Sequence, residues 1–282
     1  MMWVLNIVAY IINAALVGVS SYGVLGKPND EVSADYPTLI TPDGWAFGIW
    51  GAVFLSELIF VVWAACNRDS KVVNEGVGCW FAIACILQAA WSIAFAQESF
   101  ILSAVLLSGI TLSLAVAIAN LSSFKIEAEN FYFSIPFWTV HFPIGLHGGW
   151  TLAAALVNIL IALKLDSVSS EVAGLILAIV AASFMAAIAA IVFYDQIYLL
   201  AVAWAVAGIA SKQDYRIERL GGPVADGVTQ GLNALWIAVL CVGVLGIIST
   251  VRQRNRYAHE MEEKGLAMRR TADGATRAMI PS

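Results

Sequence analysis

Charge is scarce in this chain. Only 12% of its 282 residues are Asp, Glu, Lys or Arg, whereas 60% are hydrophobic and the mean hydropathy is +0.81. A soluble domain of this size carries roughly twice that share of charge, so the composition excludes an ordinary water-soluble fold and gives a polytopic membrane protein. The net charge of -5 says little about partners; the lipid bilayer is expected among them and nucleic acid is not. Cys66, Cys79, Cys85 and Cys241 lie in or beside apolar runs without CxxC spacing or a His cluster, which argues against a disulfide framework and a zinc site. No basic residue precedes the first apolar run, so a signal anchor is expected rather than a cleavable signal peptide. The chain shows no nucleophile–base pair, metal cluster or nucleotide loop, and the expectation is that it is not an enzyme.

What is present is a series of apolar runs, each about 20 residues long or close to it. The spans read as residues 3–25, 44–65, 76–96, 100–123, 137–163, 171–194, 196–211 and 228–250. The expected fold is therefore an all-α polytopic membrane helix bundle of about eight transmembrane helices. Gln97-Glu98-Ser99 and Asp195 are the only polar steps between two successive pairs, which predicts tight hairpins there. Seven of the fifteen Lys and Arg residues follow Val251, so this tail is expected on the cytoplasmic side or its organellar equivalent. An even number of spans puts the N-terminus with it and the acidic loop from Gly26 to Asp43 on the opposite side. Lys212, Arg216 and Arg219 fall on that outer side too. The tail mixes Arg with Glu and reads as a helix extension followed by a flexible end.

The stretch Thr41-Pro42-Asp43-Gly44-Trp45-Ala46-Phe47-Gly48-Ile49-Trp50 puts a loop end, a helix cap and two indoles at the mouth of the second span. Trp45 has two readings, a ligand contact or a member of an interfacial aromatic belt. On helical faces, where positions three, four and seven apart share a side, the aromatics gather. Trp50, Phe54 and Glu57 share one face of the second span. Gln88, Trp91 and Phe95 share one in the third, with Trp80 and Ala84. His147, Trp150, Ala154 and Asn158 line up in the fifth, while Gly145, Gly149 and Ala153 form a small-residue strip on the other side. That strip, like Ala201 and Ala205, offers either a homodimer face or packing within the bundle.

Glu57 is the one carboxylate near the middle of a span, where a charge costs roughly 2.5 to 3.5 kcal/mol on insertion scales. It reads as a protonated structural acid, a proton relay or a polar ligand contact. His147 reads as a hydrogen-bonded helix histidine or as an axial ligand to haem iron, and His141 shares that choice.

On these residues the chain resembles the TspO/translocator protein family, the tryptophan-rich sensory proteins. The family's second helix begins Trp-x-Phe-Gly-Pro-Val-Trp, to which Trp45-Ala46-Phe47-Gly48-Ile49-Trp50 is similar, one residue shorter and without the proline. Gln88-Ala89-Ala90-Trp91-Ser92 stands where the family has Asn followed by Trp-Ser. Trp150, Ala154 and Asn158 reproduce its spacing of four and eight in the fifth helix, and Leu146-His147 replaces a Pro-Tyr pair before that Trp. Residues 204–213 resemble a late helix of a longer branch.

The resemblance implies a five-helix core over residues 1–165, a three-helix extension over 166–250 and a basic tail over 251–282. It also implies binding of a flat apolar ligand, a porphyrin (haem included) or other tetrapyrrole or a sterol-like molecule, in a pocket within the bundle closed by the first loop. The ligand-binding residues so implied are Trp45, Trp50, Phe54, Glu57, Gln88, Trp91, His147, Trp150, Ala154 and Asn158, with Tyr36 to Asp43 in the lid. No resident cofactor or metal is implied. Light-dependent porphyrin breakdown belongs to the resemblance alone. The alternative from a different class is a proton-linked secondary transporter, although no repeated half with matching broken helices is seen.

Overall fold

The computed structural model describes residues 2–127, 134–165, 167–193, 195–212, 220–222, 225–249 and 251–252. The basic tail beyond residue 252, Arg216 and Arg219 lie outside the described residues.

Among the described residues every regular element is a helix, and no strand occurs. Its α-helices are α1 (Met2–Ser21), α2 (Asn29–Asp35), α3 (Ile49–Cys66), α4 (Trp80–Ala96), α5 (Phe100–Glu127), α6 (Phe142–Leu163), α7 (Val168–Ile191), α8 (Gln196–Ser211) and α9 (Ala225–Ser249). Six segments among the described residues are long and apolar enough to cross a membrane, while α4 and α8 are shorter apolar helices. The chain is thus an integral, multi-pass helix bundle, and each of the eight expected spans has a helix. The third starts later than residue 76 because a π turn at Val72–Val77 ends on Gly78, whose φ of 56° no helix continues through. The first loop contains a helix the apolar pattern does not show: α2 follows Pro28 and carries Asp30 and Glu31 in its first turn.

Five helices close a ring, with neighbours running α1–α3–α6–α5–α4 and back to α1. The seam of α5 shows how the ring is filled. Leu107, Ile110, Leu114, Ile118 and Leu121 recur every three or four positions and are buried, while Ile101, Val105 and Leu112 face outward. Lipid is as apolar as these side chains, so contact packing rather than exclusion of water holds the seam. Asp43 caps the start of the second span, its carboxylate accepting from Gly44 N at 2.7 Å, and a 3-10 turn at Gly44–Gly48 leads into α3.

α8 packs outside the ring on α6. The small-residue strip of α6 makes this approach possible: a Cβ on Gly149 would strike the Tyr198 carbonyl and lie 2.7 Å from Ala201 Cβ. The two strips offered by the sequence as dimer faces therefore cover each other within one chain. α8 also holds the entry to α3, because Asp43 N donates to Gly208 O at 2.9 Å and Trp204 Nε1 donates to Ala46 O at 2.9 Å.

Candidate functional site

A cavity of about 510 Å³ opens between α1, α3 and α4 under the start of α2. Its walls are aromatic. Trp50 and Phe54 come from α3 one turn apart, Trp91 from α4, Tyr10 from α1 and Phe47 from the 3-10 turn. Trp50 and Trp91 are stacked with centroids 6.3 Å apart and planes at 29°, and Trp91 stacks in turn on Phe95 at 5.4 Å. Such offset pairs add about 0.5 to 1.5 kcal/mol each beyond burial, so they hold the wall in one arrangement. Trp50 remains half-buried and lines the cavity.

Few polar groups reach the cavity. Gln88 lines it and is fully buried; its Oε1 accepts from Asn13 Nδ2 at 2.9 Å, and its Nε2 has no hydrogen-bond partner. Tyr10 donates to Phe54 O at 2.9 Å, tying α1 to α3 across the wall. Sequence reasoning missed Tyr10 and Asn13. A signal was present, since Asn6, Asn13 and Ser20 recur at intervals of seven on α1. All three are buried and donate to α4 or to the turn before it: Asn6 to Gly78 O, Asn13 to Gln88 and Ser20 to Ser92 O.

Behind Trp50 lies a second layer. The Trp50 ring meets His147 at 5.8 Å and Trp150 at 6.1 Å, both edge-on. His147 Nδ1 and Glu57 Oε1 are 2.6 Å apart, with both side chains fully buried. His147 Nε2, Glu57 Oε2 and Trp150 Nε1 have no hydrogen-bond partner. A carboxyl and an imidazole sharing one proton form a neutral unit, which a bilayer tolerates far better than either charge alone. Asn158 joins three helices: its Oδ1 accepts from Trp91 Nε1 at 3.2 Å and from Ser103 Oγ, and its Nδ2 donates to Ala154 O at 3.1 Å.

Of the ten site residues expected from sequence, the structure brings Trp50, Phe54, Gln88 and Trp91 onto the cavity surface. Glu57, His147 and Trp150 stand behind Trp50. Asn158 orients Trp91, and Ala154 contributes its carbonyl to Asn158 without lining the cavity. Trp45 lies apart, 46% exposed, edge-on to Trp204 at 4.9 Å and donating to Ser211 Oγ at 3.0 Å. No group of three His, Cys, Asp or Glu side chains among the described residues is placed to hold a metal ion.

The first loop is anchored beside the cavity. Lys27 pairs with Glu98 at 2.7 Å and Asp35 at 2.9 Å, and Tyr36 donates to Glu98 at 2.6 Å. Lys27, then Tyr36, hold the Glu98 carboxyl below its ordinary value of 4.5. A lowered folded value means that this anchorage is fully present above pH 4.5 and is lost as pH falls through the folded value. Glu98→Gln is therefore expected to speed amide exchange at Val32 and Tyr36, the backbone donors within α2 and at its end, at neutral pH. In the unchanged chain the same loss of protection, corrected for intrinsic rate, appears only on acidification; equal protection in both at neutral pH would remove Glu98 as the anchor.

A family model described as TSPO-like protein matches residues 3–251. The chain belongs to the TSPO-like protein family. Its match runs from α1 past the end of α9, so the last three spans fall within it along with the first five. Neither a curated protein nor a solved structure gives a match to this TSPO-like chain.

Proposed function

We propose that this TSPO-like protein binds a flat apolar ligand, a porphyrin or other tetrapyrrole or a sterol-like molecule, in the cavity between α1, α3 and α4, for sensing, transport or disposal. The observation that carries the reading is the cavity itself. At about 510 Å³ it falls within the range of small-molecule sites, roughly 300 to 1,000 Å³, and its walls are stacked rings with few polar groups. Planar π systems stack on indoles, and a buried amide such as Gln88 fixes orientation.

Titration of the purified protein in detergent with protoporphyrin, haemin and a sterol, followed by tryptophan quenching and the porphyrin absorption band, tests this. Saturable binding is expected, weakened about three- to tenfold by Trp50→Phe or Trp91→Phe. Unchanged affinity in both folded variants would refute the pocket. The haemin arm also decides the axial-ligand reading, since an unaltered haem spectrum in His147→Ala excludes iron ligation there.

One observation favours a second reading, proton-linked secondary transport: the Glu57–His147 pair, a carboxyl and an imidazole in hydrogen-bond contact and buried inside the bundle. Saturable, proton-driven flux in proteoliposomes that disappears in Glu57→Gln would support it over binding alone.

A further inference from the structure

The aromatic cavity has a charge asymmetry at its mouth. Asp30 is the only charged residue lining it; among the described residues no Lys, Arg or His does. Lys27 is the single cation between Gly26 and Asp43, and it is engaged by Asp35 and Glu98. Asp30 makes no ion pair among the described residues. Beside it, Asn29 Oδ1 is buried and takes no hydrogen bond. The mouth therefore presents two acceptors, one of them charged, and no cation to offset them.

Below the mouth stand Phe47, Trp50, Phe54 and Trp91. Aromatic faces carry negative quadrupole density and attract ammonium and other organic cations, most strongly where water is excluded. A carboxylate at the rim of an aromatic cage reinforces the same preference. A carboxylate-bearing ligand entering by this mouth meets Asp30 with like charge.

We infer that the cavity selects flat apolar cations, a protonated or quaternary amine on a planar frame, over anions of the same shape. The inference rests on the reading of this cavity as the ligand site and names the charge class of its ligand.

Three probes that share one planar frame test it on the full-length protein in detergent: protoporphyrin, its neutral dimethyl ester, and an analogue with quaternary ammonium groups in place of the two carboxylates. The expected order of affinity is cation, then ester, then dianion, with the cation about tenfold tighter than the dianion at low salt and the gap narrowing as salt rises. Asp30→Asn is expected to lower the cation-to-ester affinity ratio about three- to fivefold, as befits an exposed charge, and Asp30→Lys to invert the order. Using the ratio keeps any general loosening of α2 out of the readout. A dianion that binds as tightly as the ester, or a ratio unmoved in both Asp30 variants, would overturn the inference while ester binding weakened by Trp91→Phe left the pocket standing. If none of the three probes binds, the tetrapyrrole form of the pocket reading fails and the charge preference falls with it.

Discussion

Gly149→Val is expected to destabilise the bundle by about 3 kcal/mol, the upper part of the range for overpacking. The reason is the nature of the obstacle. A Cβ at this position meets the Tyr198 backbone carbonyl and Ala201 Cβ, neither of which can swing away as the end of a long side chain would. α8 must move off α6 as a unit. That motion reaches the cavity although Gly149 does not line it, because α8 holds Ala46 through Trp204 Nε1 and packs Gly208 against Ala46 Cβ, where an added Cβ would lie at 2.5 Å. Trp50 follows Ala46 by four residues. Ligand affinity is therefore expected to fall together with the midpoint of thermal or detergent-induced unfolding. Gly231→Ala is the control, since nothing lies within 4 Å of its added Cβ; there the loss of glycine's backbone freedom gives a gain of about 0.5 to 1 kcal/mol. Equal effects at the two sites would show that α8 does not rest on Gly149.

Glu57→Ala is expected to cost about 3 to 5 kcal/mol, the range for breaking a buried pair by removing one partner. It leaves His147 buried without its Nδ1 partner at a depth where water does not reach it. Glu57→Gln keeps an oxygen able to accept from Nδ1–H and should cost only about 1 kcal/mol. The diagnostic result is the double change. Replacing Glu57 and His147 together by Leu removes both polar groups, and most of the stability lost in either single Leu variant is expected to return. Additive losses in that cycle, or a loss below about 1 kcal/mol for Glu57→Ala, would mean that the pair is not a unit. The same variants bear on function, because Glu57→Leu with His147→Leu retains the packing behind Trp50 but cannot carry a proton.

Much of the candidate site was legible because helical spacing alone puts certain residues on one face. Trp50 with Phe54, and Gln88 with Trp91, needed only the repeat of three and four, and both pairs line the cavity. The opposition of the Gly145/Gly149 strip to His147 followed from the same geometry: Gly149 meets α8 and His147 meets Glu57 of α3, while Trp150 shares one packed cluster with Ala201 and Ala205. Tyr10 and Asn13 escaped notice because a first apolar span reads as an anchor. Their significance depends on α1 returning beside α4. Trp45 belongs to the motif next to Trp50, yet the 3-10 turn rotates it outward onto Trp204.

The sequence by itself determined the membrane bundle, the approximate position of every span and which aromatic residues share a helix face. These follow from composition, run length and backbone periodicity, which are local properties. Only the tertiary structure decided which faces meet: Glu57 with His147, ninety positions apart; Asn13 with Gln88; and the two small-residue strips with each other. The physical reason is the solvent. In water an apolar stripe marks the buried side of a helix, but lipid is as apolar as the bundle interior. Helices buried in hydrocarbon all round carry no such stripe, and their rotation and neighbours are set by small residues and a few polar contacts whose partners lie far away in the chain.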